Sequence, residues 1–273
     1  MWTAVTTLAG GRAVHYRCDE GAGWLPDLAD IAAKVTSRTR AIVIISPNNP
    51  TGAVYPRDLL EGMLDLARRH HLMVLADEIY DKILYDGAVH YPAAVLAPDL
   101  LCLTFNGLSK SYRVAGFRSG WLLVTGPAST REATWRGWRR SRGPGCARTC
   151  RASSHSRRRS AAGRTSATSS CRGPAARAAG PGLAAAQRHP RRVLRQAAGA
   201  MYAFPRLDPA AHRISDDEKF VLDLLLREKI QVVQGTGFNW PYPDHFRIVT
   251  LPRADDLDAA IARIGRFLAG YRQ

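Results

Sequence analysis

The sequence predicts an α/β protein with a doubly wound, mostly parallel sheet, followed by a smaller α+β unit. Over residues 1–126, short apolar runs alternate with segments that have the hydrophobic pattern of amphipathic helices. Strand–helix–strand units of this length are typical of parallel sheets. After an Arg-rich stretch, strand-like text resumes and the chain ends on an amphipathic helical pattern. With 273 residues, the chain is long enough for two modest hydrophobic cores.

The first half carries the pattern of the parallel sheet. The run 41–45 is short, apolar and β-branched, which is typical of a strand covered on both faces. Residues 57–71 repeat Leu and Met at helical spacing and end on basic residues, which favours an amphipathic helix. Three further buried strands are predicted over 72–76, 101–105 and 120–124.

The second half predicts the smaller unit. Residues 215–229 read as a helix, because Ser215 is followed three residues later by Glu218 in the spacing of a capping box. Residues 255–273 have an acidic first turn and a basic end, as an amphipathic terminal helix does. Strands are predicted over 200–204, 230–234 and 246–251.

The basic charge of the chain lies in one segment. The formal net charge is +16, and the stretch from Arg131 to Arg195 holds 17 Arg against one carboxylate, Glu132. Its composition of Arg, Ala, Gly and Ser offers little apolar surface to bury, so residues 128–197 are predicted to be a disordered, low-complexity segment. An Arg-rich nucleic-acid-binding protein is one alternative, although this run has few aromatic residues to stack on bases.

Cysteine usage and hydropathy indicate the compartment. Five cysteines occur, and their spacing matches no common zinc or disulfide framework, which predicts a reducing compartment and no metal site. No apolar run of membrane-spanning length is present, and the first residues lack the pattern of a signal peptide. We therefore expect a soluble, cytoplasmic protein without membrane or specific nucleic-acid partners.

Polar groups follow three of the predicted strands. The strand at 41–45 runs into SPNNPTG, that at 72–76 into DEIYDKILYDG, and that at 101–105 into NGLSKSYRVAGFRSG. Each motif alone has an ordinary explanation, as a turn, a helix cap or a solvated lysine. In a doubly wound sheet, however, ligands bind beyond the carboxyl ends of the strands. The three motifs together predict a ligand site at that edge.

In this order and spacing, the motifs resemble the large domain of the fold-type I, class I/II aminotransferases, which use pyridoxal 5'-phosphate (PLP). The resemblance covers residues 2–127 and 198–273. Within that family, KILYDG, FNGLSKSYRVAGFR and GTGFNWPYPDHFRIVTLP look most like bacterial alanine (glutamate–pyruvate) transaminases. The resemblance implies a homodimeric enzyme that converts L-alanine and 2-oxoglutarate to pyruvate and L-glutamate by ping-pong Schiff-base chemistry.

The resemblance also implies roles for individual residues. Lys110 would form the Schiff base with PLP and then move the substrate proton. Asp77 would pair with the pyridine nitrogen and keep it protonated, while Asn49 and Tyr80 would donate to the ring's phenolate oxygen. Each of these side chains lies in a motif that matches the family pattern.

Three further residues complete the implied site. Arg118 would hold the cofactor phosphate, assisted by Ser109. Arg247 would clamp the substrate carboxylate with Asn49 beside it, although a strand arginine considered alone would be read as exposed. Trp240 and Tyr242 are open to two interpretations, contact with the substrate or ordinary packing.

The chain also departs from the family pattern. The resemblance begins inside the large domain, so we expect an N-terminally truncated domain (residues 1–127) that lacks the phosphate-binding loop and the aromatic ring that stacks on the cofactor. Residues 128–197 have about the length of the corresponding family segment but not its sequence, and reading 172–197 one nucleotide later, with third bases chosen freely, permits a sequence typical of the family. Our hypothesis is out-of-frame translation there, and resequencing of the coding region tests it. A non-catalytic remnant is the remaining alternative, with 198–273 as its small α+β domain.

Overall fold

The computed structural model describes residues 1–141, 192–193 and 197–273. Its strands in the first half are Cys18–Asp19 (β1), Leu25–Pro26 (β2), Ala41–Ile45 (β3), Met73–Asp77 (β4), Cys102–Gly107 (β5) and Gly120–Thr125 (β6). Those that follow are Arg192–Val193 (β7), Tyr202–Ala203 (β8), Arg206–Leu207 (β9), Val233–Gln234 (β10) and Phe246–Val249 (β11). The α-helices are Trp2–Leu8 (α1), Leu28–Lys34 (α2), Arg57–Arg69 (α3), Ala93–Leu96 (α4), Ala128–Ser141 (α5), Pro209–His212 (α6), Asp217–Glu228 (α7) and Ala254–Gly270 (α8).

The central sheet has the strand order β3-β4-β5-β6. The first three strands are parallel, and β6 pairs antiparallel with β5. The connection between β3 and β4 is α3, as expected of a parallel crossover. The predicted α/β class with a mostly parallel sheet is therefore confirmed, with an antiparallel strand at one edge.

The core of the N-terminal part (residues 1–127) forms between this sheet and α3. Ile42 and Ile44 of β3 are buried, while the alternate side chains of that strand are only half-buried. The strand was predicted to be buried on both faces, but β3 is fully buried on one face and only half-buried on the other. The buried face of α3 consists of Leu60, Met63, Leu64, Leu66 and Ala67, at the spacing of an amphipathic helix.

The C-terminal part (residues 198–273) has its own small sheet, in the order β10-β11-β8, with antiparallel pairing. Phe246 of β11 packs against Phe220 of α7, and their ring centroids lie 5.6 Å apart. This core is completed by buried side chains of α7 and α8, namely Leu224, Ile264, Phe267 and Leu268. Both predicted helices are present in this part.

The cap of α7 differs from the predicted capping box. Asp216 is the N-cap residue, and its Oδ1 accepts a hydrogen bond of 3.0 Å from the Lys219 amide. Ser215 instead donates its amide to Gln273 Oε1 over 2.9 Å. The prediction at Ser215 was wrong by one position, because two capping residues stand side by side and the tertiary contact to the C-terminus decides between them.

The predicted Arg-rich segment 128–197 lies mostly outside the described residues. Where it begins, the structure has helix α5 over residues 128–141 rather than disorder. Ala and Arg favour helix, and Arg136 lies 3.4 Å from Glu132 one turn earlier. Local propensity thus forms a helix although most of its described side chains are exposed.

Among the described helices, none combines the length and the apolar character needed to cross a lipid bilayer.

Candidate functional site

The predicted site residues stand where the parallel strands end. Asp77 closes β4 and pairs in register with Ile45 on one side and Phe105 on the other. Asn49 follows β3, and Lys110 follows β5. The carboxyl ends of parallel strands share one edge of a sheet. The three motifs therefore converge on the same edge.

The loop that carries Lys110 is attached to the loop that follows Asp77. Ser111 Oγ donates to the Ile79 carbonyl at 3.3 Å and lies 3.1 Å from Asp81 Oδ1. Lys110 and Ser109 are half-buried. Within the described part of the chain, no hydrogen bond or ion pair of the Lys110 side-chain nitrogen is seen.

Asp77 accepts a hydrogen bond that the sequence did not predict. The indole Nε1 of Trp2 donates to Asp77 Oδ2 over 3.1 Å, and its ring meets Phe105 edge to face at 5.2 Å. Burial raises the pKa of Asp77, while the bonds from Trp2 and the Ile79 amide oppose that rise. No neighbouring motif in the sequence gave a signal for Trp2, so this contact with Asp77 could not be predicted.

Tyr80 meets a second tyrosine from the C-terminal part. The hydroxyl oxygens of Tyr80 and Tyr202 lie 2.7 Å apart and their rings 5.5 Å apart, both buried. Burial, together with this hydrogen bond, raises the pKa of Tyr80 well above its ordinary value. Tyr202 is a site residue that the sequence pattern did not single out, since within its strand it reads as an ordinary apolar position.

Arg247 reaches the same place from β11. Its Nη1 donates to Asn49 Oδ1 at 3.0 Å, although the two residues lie 198 positions apart. Its guanidinium lies 4.4 Å from the ring centroid of Tyr202 and 4.9 Å from that of Phe238. Its buried Nε has no hydrogen-bond partner among the described residues. Arg247 is therefore an oriented guanidinium with a donor still available to an anion.

Arg118 is not brought into this group. It is exposed, its backbone is left-handed at φ 49°, and its Nη1 donates to the Ala115 carbonyl over 3.0 Å.

Trp240 is a packing residue, because its Nε1 donates to Asp244 Oδ1 at 2.8 Å and its ring packs on Trp24. Tyr242 is exposed.

The sequence is similar to a known protein family and to several of its members. A family model described as aminotransferase class I and II matches residues 1–264. The alanine aminotransferase of Mycobacterium tuberculosis (strain ATCC 25618 / H37Rv) is 52% identical over 290 residues, which cover 100% of this chain and 64% of that protein. The glutamate-pyruvate aminotransferase AlaA of Escherichia coli (strain K12) is 48% identical over 286 residues, with 100% of this chain and 68% of that protein covered. The chain thus spans about two thirds of the length of these relatives.

Solved structures of aminotransferases also superpose on this chain. A crystal structure of an aminotransferase from Escherichia coli superposes with a TM-score of 0.84 and 45% sequence identity, covering 100% of this chain and 68% of that one. An alanine aminotransferase from Pyrococcus furiosus superposes with a TM-score of 0.75 and 26% identity, covering 98% of this chain and 67% of that one.

Proposed function

Since this chain belongs to the class I and II aminotransferase family, we propose that it carries a PLP-dependent site for amino transfer between L-alanine and 2-oxoglutarate. The observation that carries the proposal is the placement of Arg247 against Asn49, at the sheet edge where Asp77 and Lys110 also stand. The names of the relatives, alanine and glutamate-pyruvate aminotransferases, support this pair of substrates.

The side chains at this edge fit PLP. Asp77 already accepts an N–H group, that of Trp2, and a protonated pyridine nitrogen is a donor of the same kind. The amine of Lys110 suits an aldehyde, and Tyr80 and Asn49 bring a hydroxyl and an amide that can donate to a phenolate oxygen. When bound, PLP supplies an electron-withdrawing ring that stabilises negative charge at the substrate Cα.

We assign the residue roles as follows. Lys110 Nζ would hold the cofactor through its aldehyde carbon and, once the substrate amine has displaced it, would act as the amine that moves the substrate Cα proton. Asp77 keeps the pyridine nitrogen protonated, and Arg247 binds the substrate carboxylate and orients its Cα toward Lys110. The roles of Arg118 and Ser109 at the phosphate require the Arg118 guanidinium to leave the Ala115 carbonyl.

The proposal extends to the organisation of the protein. A partial cofactor-binding domain (1–127) and a small α+β domain (198–273) would flank the Arg-rich segment, and the protein would act as a homodimer in the cytoplasm. Sedimentation of the purified chain with PLP tests the dimer.

The test of the proposed function is chemical attachment of the cofactor. The purified full chain, mixed with PLP, should develop a visible absorption band, and borohydride reduction followed by peptide mass spectrometry should find the label on Lys110. Lys110→Ala should abolish the band and lower the rate of pyruvate formation from alanine by about 10³-fold or more. Lys34→Ala is the control, because Lys34 pairs with Asp30 on α2, away from the sheet edge.

Labelling of another lysine would contradict the assignment of Lys110. A cooperatively folded chain that binds no PLP would favour the non-catalytic remnant. A higher kcat/KM with aspartate than with alanine as amino donor would overturn the substrate pair while leaving the reaction class intact.

A further inference from the structure

A buried histidine joins the two parts of the chain near the site. His245 is only 1% exposed and directly precedes β11 in sequence. It faces Glu20 and Trp24, which lie between β1 and β2 in the N-terminal part. We call this cluster the His245 junction, and its members are Glu20, Trp24, Phe204, Arg206, Trp240, Asp244 and His245.

Both ring nitrogens of His245 face carboxylate oxygens. Nδ1 lies 2.7 Å from Asp244 Oδ1, within hydrogen-bond distance, whereas Nε2 lies 3.6 Å from Glu20 Oε1 and has no hydrogen-bond partner among the described residues. Burial opposes ionisation of Asp244, but its bonds with Trp240 and His245 outweigh burial and lower its pKa. Asp244 is therefore an ionised acceptor and His245 Nδ1 carries the hydrogen. Arg206 Nη1, 3.6 Å from Glu20 Oε2, is the other charged group of the junction at that carboxylate.

Aromatic rings enclose the imidazole. It stacks on Phe204 with a centroid distance of 4.8 Å, and the rings of Trp24 and Trp240 meet it edge-on at 5.3 and 4.9 Å. These rings bury the imidazole and its hydrogen bond with Asp244. Side chains of both parts therefore pack together in the His245 junction.

The alternation along the strand connects this junction to Arg247. Successive side chains of an extended segment point to opposite faces. Phe246 packs into the C-terminal core, whereas His245 and Arg247, two residues apart, both contact the N-terminal part. The segment is thus held at two points, by His245 against Glu20 and by Arg247 against Asn49.

We propose that His245 and Glu20 are positioning residues for Arg247. Their contact fixes the start of β11 so that the guanidinium is held at Asn49 before a substrate carboxylate arrives. The consequence for the reaction rests on the proposed function, in which Arg247 binds that carboxylate. Neither positioning residue touches the reacting atoms.

The experiment removes the His245–Glu20 contact by substituting each partner in turn. Glu20→Gln removes the charge and keeps the shape, and His245→Asn keeps an amide that can donate to Asp244 but cannot reach Glu20. Each variant should raise the KM for alanine about tenfold, with kcat and PLP affinity within about twofold of wild type. The double variant should raise the KM by less than the product of the two single effects, because both changes remove the His245–Glu20 contact, although Glu20→Gln also removes the charge that Arg206 faces. Glu61→Gln on α3, which pairs with exposed Arg57, is the control.

A second readout is independent of catalysis. Hydrogen exchange should accelerate at residues 18–26 and at 245–247 together in both single variants, and at neither segment in Glu61→Gln. Additive KM effects, unchanged KM values, or faster exchange at only one segment would overturn the inference. If the wild-type chain neither binds PLP nor transaminates, the proposed function fails, and coupled exchange still decides whether the contact holds β11 in place.

Discussion

At Asp77, the stability of the cofactor-free fold and the proposed reaction favour opposite protonation states. Burial raises its folded-state pKa above that of the unfolded chain, more than the hydrogen bond from Trp2 lowers it. A carboxyl group shifted in this direction costs stability as the pH rises through the folded pKa, and the cost vanishes below the unfolded pKa of about 4. The proposed reaction needs Asp77 to be ionised, whereas ionisation of this side chain destabilises the cofactor-free fold.

This gives a prediction for Asp77→Asn. At about pH 7 the substitution should raise the melting temperature of the cofactor-free chain, because the cost of ionising Asp77 is removed, and this gain should shrink to nothing below about pH 4. Amino transfer should be lost. Thermal melts across that pH range check the prediction, with Asp58→Asn on the exposed start of α3 as control. A loss of stability that is equal at every pH would contradict it.

Residues of the site differ in how well the sequence predicts them. Asn49, Asp77 and Lys110 each follow a recognisable apolar strand, so their convergence could be expected from parallel-sheet geometry alone. Trp2 and Tyr202 could not be found in this way, since their partners lie 75 and 122 positions away. Contacts of that kind depend on tertiary packing, which local patterns do not encode.

At the scale of elements, the turn that carries Asn49 is docked on the segment that leads into β8. Gly52 has φ +73°, and its carbonyl accepts the Gly199 amide at 2.9 Å. A Cβ atom added to Gly52 would stand 2.5 Å from the Cβ of Ala197 and 2.9 Å from the Gly199 carbonyl oxygen. Only glycine allows this approach, so Gly52 helps to set the position of Asn49.

Gly52→Ala should therefore destabilise the chain by about 3 kcal/mol, through left-handed strain and overpacking together. Gly87→Ala is a matched control, since Gly87 has φ +77° but nothing within 4 Å of an added Cβ, and should cost only about 1 kcal/mol. Urea unfolding measures both values. Equal costs in the two variants would show that the close approach contributes nothing.

Elements with a strong local pattern were predicted at nearly their observed bounds. The helix predicted over 57–71 is α3, Arg57–Arg69, and the strand over 41–45 is β3. The strands predicted over 200–204 and 230–234 are present but have only two residues each, β8 and β10. The length of such strands is set by pairing partners elsewhere in the chain, which a run of apolar letters does not reveal.

At the scale of the whole molecule, β6 leaves apolar surface open. It ends the described sheet, and on it Trp121 is 48% and Leu123 51% exposed. An edge strand with exposed apolar side chains is a template for association between chains.

Leu123→Lys should therefore reduce aggregation of the purified chain, with the melting temperature nearly unchanged, because an edge lysine discourages strand addition. Light scattering during incubation at fixed protein concentration measures this. Leu226→Lys on α7, where the leucine is 58% exposed, introduces the same charge without touching a sheet edge and should have the smaller effect. An equal benefit from both variants would mean that net charge, not the edge, controls association.

One face of β11 is apolar and the other is basic, so the register of its pairing with β10 and β8 is strongly specified. A slip of one residue along either neighbour would turn Phe246 out of the aromatic core and force a guanidinium and an imidazole into it. Such a strand tolerates one alignment only. A misaligned C-terminal part would lose apolar contacts on one face of β11 and polar contacts on the other, so the alternation that places Arg247 at Asn49 also disfavours every other register.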